Sequence, residues 1–160
     1  SRSSNVPFGS LKMVADDIDG KSIASTIRSE IKDAVTKLKA DHGDDAGTPG
    51  LAVILVGTRR DSQTYVRMKK KACEECGIAS FGFDYPEDVR QADLLKKIEE
   101  LNADDKVHGI LVQLPLPKHV DEDAVLNAVN PSKDVDGLHP LNVAKLCSTS
   151  THVGSTKVNW

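Results

Sequence analysis

Leu51-Ala52-Val53-Ile54-Leu55-Val56, closed by Gly57, is an unbroken apolar run rich in β-branched residues, the pattern of a strand buried on both faces. A strand with no polar side needs cover above and below, so the fold class is α/β. Downstream, a helix is predicted from about Ser62 to Glu75, closed by Gly77, followed by a second strand from Ile78 to Tyr85 before Pro86. A helix from about Gln91 to Leu101 then carries Leu94, Leu95, Ile98 and Leu101 on one face, Val107 to Gln113 is a third strand ending at Pro115, and a short helix runs from about Asp121 to Val129. Upstream, Ile23, Ile27, Ile31, Val35 and Leu38 recur at helical spacing between Gly20 and Asp41-His42-Gly43, which predicts one long amphipathic helix. Strands separated by helices imply right-handed crossovers and a mainly parallel sheet between helical layers, a three-layer αβα arrangement.

The 160 residues suit one domain and leave no room for two full ones. With 39% hydrophobic residues, 28% charged and a formal net charge of -3, the composition is that of a soluble globular protein, neither disordered nor membrane-bound, and nothing in it calls for nucleic acid. The expected organisation is a disordered lead over 1–12, a domain over 13–146 and a patternless polar tail over 147–160. The lead lacks the apolar core of a secretory signal and reads as a segment foreign to the fold or the end of a cleaved transit segment. The basic run Arg59, Arg60, Arg67, Lys69, Lys70 and Lys71 is interleaved with a helix and reads chiefly as a solvated face, with an anionic small ligand as the alternative. Cys73 and Cys76 fall late in a helix, away from the loop-to-helix junction of a redox motif and without a second ligand pair, so they read as free thiols in a reducing compartment.

In sheets of this kind ligands bind beyond the carboxyl ends of the strands, which directs attention to the loops after Val56 and after Gln113. The first leads into a helix on which Ser62, Tyr65 and Lys69 are spaced i, i+3 and i+7, placing a hydroxyl, an aromatic ring and an amine along one face. Asp61 or Ser62 is positioned to cap that helix; the plain alternative makes Ser62 a cap, Tyr65 core and Lys69 a solvent charge. The second loop follows His108-Gly109-Ile110-Leu111-Val112-Gln113-Leu114-Pro115-Leu116-Pro117, in which Gln113 is a poor core residue because both its donor and acceptor need partners; an amine on the adjacent helix is a natural one. His108, at the far end of the strand, reads as structural. The loop Lys133-Asp134-Val135-Asp136-Gly137 offers two carboxylates, either a metal pair or turn chemistry. Without the further oxygen ligands of a calcium site, no metal is expected.

Taken together, Val56-Gly57 with Ser62, Tyr65 and Lys69, then Lys71-Ala72-Cys73-Glu74-Glu75 before Gly77-Ile78, Gly109 to Pro117, and Lys133 to Gly137 resemble the methylenetetrahydrofolate dehydrogenase/cyclohydrolase family over about Val14 to Leu146. The resemblance implies a bifunctional enzyme of one-carbon metabolism, with NADP-linked oxidation of 5,10-methylenetetrahydrofolate to the methenyl form and hydrolysis of that cation to 10-formyltetrahydrofolate. Position by position it implies Lys69 as the catalytic lysine, Tyr65 as the aromatic residue packed on the folate, Gln113 as the partner holding the lysine, Asp136 as the carboxylate for the pterin's nitrogen donors, and Ser62 in the same pocket. A lysine that takes a proton from attacking water must spend time neutral, which desolvation by Tyr65, the sheet and a cationic substrate favours.

The chain departs from the family after Leu146, where relatives continue into a Rossmann-type nucleotide domain; no glycine-rich turn between a strand and a helix occurs in this sequence. The expectation is therefore a folate-binding fragment without an NADP site. It is expected to be impaired or inactive alone, with a non-catalytic binding or interaction module as the second reading. The family's homodimer forms largely through the nucleotide domain, leaving a dimer in question here. The expected location is cytoplasmic, with mitochondrion or plastid as alternatives. Tyr65-x-x-x-Lys69 also matches the spacing of short-chain dehydrogenases, but those place the serine much further upstream and open with a glycine-rich turn, neither of which is present.

Overall fold

A computed structural model describes residues 18–43 and 47–148; the lead over 1–12 and nearly all of the tail over 147–160 lie outside them. Helix α1 spans Gly20–His42, and its first amides are met by Asp19, whose carboxylate accepts from the N–H groups of Lys21 and Ser22 at 3.1 Å each. Then follow β1 (Gly50–Val56), α2 (Arg60–Cys76), β2 (Ala79–Tyr85), α3 (Gln91–Ala103), β3 (Gly109–Val112), α4 (Glu122–Ala128) and α5 (Pro140–Cys147). The three strands are parallel in the order β2-β1-β3.

The alternation of side chains along the strands divides the core in two. Ala52, Ile54 and Val56 of β1 with Ile110 and Val112 of β3 meet Leu94, Ile98 and Leu101 of α3 and Val125 of α4. On the opposite face Val53, Leu55 and Leu111 meet Val66 of α2. Helix α1 packs outside α2, where Arg28 pairs with Glu75 at 3.4 Å and Val35 is buried. The layers are thus α1 and α2, the sheet, then α3 and α4, as the apolar run of β1 requires. Fully buried side chains such as Ile54 and Ile98 each contribute about 1.5–3 kcal/mol relative to exposure.

Three local expectations need correction. The regular part of β3 is four residues long, with flanking bonds from His108 N–H to Gly50 O and from Gln113 N–H to Ile54 O continuing the pairing at both ends. Neither Asp61 nor Ser62 caps α2: the helix begins at Arg60 with Arg59 at the cap position, so Asp61 falls in the first turn and Ser62 turns inward to 3% exposure. Helix α5 was not anticipated, although Pro140 at its first position and His139, whose Nδ1 accepts from the Leu141 N–H, are recognisable start signals.

At the sheet's outer strand, a side chain at Gly82 would collide with Lys70, whose Nζ lies 2.5 Å from where a Cβ would stand. Lys70 therefore lies across the backbone of β2.

Candidate active site

Helix α2 carries Ser62, Val66 and Cys73 on its buried side; Ser62 and Val66 are one turn apart, so Ser62 sits just above the contact with the sheet. Along the margin of that side follow Tyr65, 58% exposed, and Lys69, half-buried. Tyr65 is thus not core, and its ring is free to cover a ligand. Lys69 Nζ donates to Gln113 Oε1 at 3.3 Å, joining residues 44 positions apart in sequence. The orientation of Gln113 is set by its other group, since Nε2 donates to the carbonyl of Leu114 at 2.9 Å. Both needs of the amide are therefore met, as the sequence reading required.

Among the described residues no carboxylate forms an ion pair with Lys69. A neutral amide orients the amine without placing a fixed charge beside it. The loop beyond Gln113, which contains a cis Leu114–Pro115 peptide, is tied to α4, where the Leu116 N–H donates to Glu122 in the first turn at 2.7 Å.

Asp136 arrives from a different direction. Asp134 pairs in parallel with Ile110, and Ile110 N–H donates to Lys133 O at 2.6 Å, so the loop runs beside β3 toward its carboxyl end. Val135 packs in the space left by Gly109, where a Cβ would stand 2.5 Å from Val135 Cγ1. Asp136 is exposed, and its carboxylate has no hydrogen-bond partner among the described residues. The structure brings Lys69 and Gln113 into contact and puts Ser62 and Tyr65 on the same helix as Lys69; among the described residues no hydrogen bond or ion pair joins Asp136 to any of them.

Among the described residues, two clefts share the loop after β1. One, of about 450 Å³, lies between the loops after β1 and β3 and is lined by Val56, Gly57, Thr58, Arg59, Glu87, Pro115, Leu116, Pro117 and Lys118. The other, of about 460 Å³, is bounded by Gln63, Val66, Arg67, Lys70, Asp84 and Tyr85 among others. Lys69, Tyr65 and Gln113 line neither, so their constellation is an open face beside the clefts.

Arg59 clamps Asp61 through two bonds of 3.2 and 2.7 Å; this contact, with the Ser62 N–H, lowers the Asp61 pKa to about 2. The described residues do not fit a dinucleotide. The β1–α2 turn has Gly57 alone, and the Asp61 carboxylate occupies the helix start where a pyrophosphate would need free amides. No cluster of three or more His, Cys, Asp or Glu side chains suited to a metal occurs among the described residues. Cys73 and Cys76 are buried, with burial and then the neighbouring Cys76 raising the Cys73 thiol. His108 Nδ1 accepts from Gly50 N–H at 3.0 Å, the structural role expected of it. No helix among the described residues is long and apolar enough to cross a membrane.

A parallel sheet between helical layers that presents a lysine amine, steadied by an amide from the end of a neighbouring strand, makes this an α/β domain with a candidate small-molecule site. The chain belongs to the tetrahydrofolate dehydrogenase/cyclohydrolase family, whose catalytic-domain model matches residues 18–136. It is 59% identical over 129 residues to the bifunctional protein FolD 2 of Arabidopsis thaliana, covering 81% of this chain and 42% of that protein. It is 57% identical to the bifunctional protein FolD of Magnetococcus marinus, covering 83% and 46%. The solved methylenetetrahydrofolate dehydrogenase-cyclohydrolase of Trypanosoma brucei, complexed with NADP cofactor and inhibitor, matches with a TM-score of 0.77 at 42% identity, covering 82% of this chain and 44% of that one. The NAD-dependent 5,10-methylenetetrahydrofolate dehydrogenase of Saccharomyces cerevisiae matches at 0.69 and 25%, covering 78% and 38%. The chain spans less than half the length of these relatives.

Proposed function

We propose that this chain forms the folate-binding face of a methylenetetrahydrofolate dehydrogenase/cyclohydrolase. The contact between Lys69 and Gln113 carries the reading, because it supplies an oriented amine without a neutralising acid at the carboxyl end of the sheet. Tyr65 stacks on the aromatic part of a reduced folate, Asp136 accepts from the pterin's nitrogen donors, and the buried Ser62 backs this face from the inner side of α2. In the hydrolytic step water adds to the methenyl carbon of the substrate cation while Lys69 takes the proton that the water loses, and the carbon–N5 bond then breaks as the hydroxyl proton passes to N5, leaving the N10-formyl group. Gln113 keeps the amine aimed without adding charge.

No hydride-transfer step is assigned to these residues, since they do not fit a dinucleotide. NADP or NAD would be bound by the region that the longer relatives have beyond their match to this chain. The division into a folate domain over 13–146 and a differing tail over 147–160 belongs to the same proposal. Free thiols at Cys73, Cys76 and Cys147 favour a reducing compartment, whether cytoplasm, mitochondrion or plastid.

Titration calorimetry of the chain with 5-formyltetrahydrofolate tests the reading. Saturable binding that is lost on exchanging Tyr65 and Asp136 together supports it. Absence of binding by the unaltered chain would leave only the interaction-module reading, and rapid NADPH formation by the chain alone would overturn the assignment of the nucleotide to another region.

A further inference from the structure

Asp134 and Asp136 are alike in sequence and unlike in the fold. Asp134 is partly buried, and its Oδ2 accepts from the His139 N–H and from Asn142 Nδ2, both at 2.9 Å. The same Asn142 amide donates to Pro131 O at 2.9 Å. One side chain from α5 therefore binds both the start of the loop and its middle, while Asp134 reaches across the turn to His139, the residue that caps α5. Burial by itself would raise the Asp134 carboxyl, yet Asn142 and the N–H groups of His139, Leu138 and Gly137 outweigh it and hold the group below the usual carboxylate range. Asp134 is thus a committed acceptor, with its charge spent inside the loop.

The residue before it is anchored as firmly. Lys133 Nζ donates to the carbonyls of Leu101, Asn102 and Asp104 at 3.2, 2.9 and 2.9 Å, occupying the free end of α3. Asn102 in turn donates to Ala128 O and accepts from the Asn130 N–H. The stretch from Val135 to Leu138 is accordingly an arch fixed at both feet, and the exposed Asp136 stands on it.

We propose that Asp134 is a positioning residue for the folate site: by tying His139 and Asn142 to the loop, it sets the arch that presents Asp136 to the pterin. This rests on the folate reading and assigns Asp134 no contact with the ligand. The loss of a bond to a charged group at the foot of the arch is expected to move Asp136 rather than to unfold the domain.

The experiment titrates the full chain and its Asp134→Ala, Asp134→Asn, Asp136→Ala and doubly substituted D134A/D136A forms with two probes. These are 5-formyltetrahydrofolate and p-aminobenzoylglutamate, which lacks the pterin. Asp134→Ala is expected to weaken the first by about tenfold and leave the second unchanged. The double substitution should be no weaker than Asp136→Ala alone, and Asp134→Asn, which keeps an oxygen for His139 and Asn142, should recover most of the loss. Unchanged pterin affinity in Asp134→Ala overturns the proposal, as does equal loss for both probes, additive loss in the double form, or an asparagine form as weak as the alanine one. Failure of the unaltered chain to bind either probe instead overturns the folate reading and the proposal with it.

Discussion

Lys69 of α2 and Gln113 at the end of β3 meet at 3.3 Å across the face of a sheet whose central strand lies next to both elements. The amine is aimed by an amide whose own donor is occupied by the Leu114 carbonyl, so its direction does not depend on a counter-charge.

Replacing Lys69 by Met keeps most of the length of the side chain and removes the proton acceptor. Hydrolysis of methenyltetrahydrofolate, followed by loss of its absorbance, is expected to fall by about 10²–10⁴-fold with folate affinity largely kept. Where the chain alone turns over too slowly to follow, the matching exchange in a longer relative gives the same readout. Equal turnover would remove Lys69 from the mechanism.

Gln113→Glu has the opposite defect. It sets a carboxylate against the Lys69 amine and favours its protonated form, so hydrolysis should drop at neutral pH and recover as the pH is raised, whereas binding of the cationic substrate should not weaken. A pH profile identical to that of the unaltered protein would count against the role given to the amide.

Tyr65 is more than half exposed, so its removal should cost the ligand and not the fold. Tyr65→Ala is expected to raise the folate Kd by roughly tenfold, in keeping with an aromatic stacking contact. Tyr65→Phe should leave it nearly unchanged, and the thermal midpoints of both variants should match that of the unaltered chain.

Acid should destabilise the chain in a defined window. Asp61 has a folded pKa of about 2 against an ordinary 3.8, so its contribution is complete above that ordinary value and is lost as the pH falls toward 2. Asp93, Glu100 and Asp134 are shifted in the same direction. Asp61, Asp93 and Glu100 sit in exposed pairs, so most of their effect should vanish in about 1 M salt, whereas the part owed to the partly buried Asp134 should persist. Melting curves across this range at low and high salt will show whether it does.

Ile98 is fully buried between α3 and the sheet, and Ile98→Ala is expected to cost about 2–5 kcal/mol in chemical denaturation. A smaller loss would mean that the α3 layer can collapse around the gap.

Strands buried on both faces and helices with a one-sided pattern were legible because their periodicities report burial directly. Asp61 shows where that legibility ends. A carboxylate ahead of a helix serves equally as a cap or as a first-turn anion, and its pairing with Arg59 decided for the latter. Helix α1 shows another limit: its isoleucine stripe marks an amphipathic helix, yet Ile23 and Ile27 remain about half exposed and only Val35 is buried. The period identifies a face without identifying what it meets. The contact of Lys69 with Gln113 was readable because a lone amide at a strand's end needs a partner and the adjacent helix offers an amine. The distinct surroundings of Asp134 and Asp136 were not, because they depend on Asn142 in α5 and His139 just ahead of it, a helix that the sequence pattern does not announce.

Lys70, stretched over Gly82, has a consequence for how the chain behaves in a crowd. Strand β2 is the margin of the sheet among the described residues, and the bare amides and carbonyls of a marginal strand are a template for self-association. An ammonium group lying over the face of that strand puts a charge beside its edge, and an added strand would have to desolvate that charge in part, which makes the approach costlier. Exchanging Lys70 for a small neutral residue should thus leave the melting behaviour nearly intact and make concentrated samples aggregate sooner, a difference that light scattering over time would reveal.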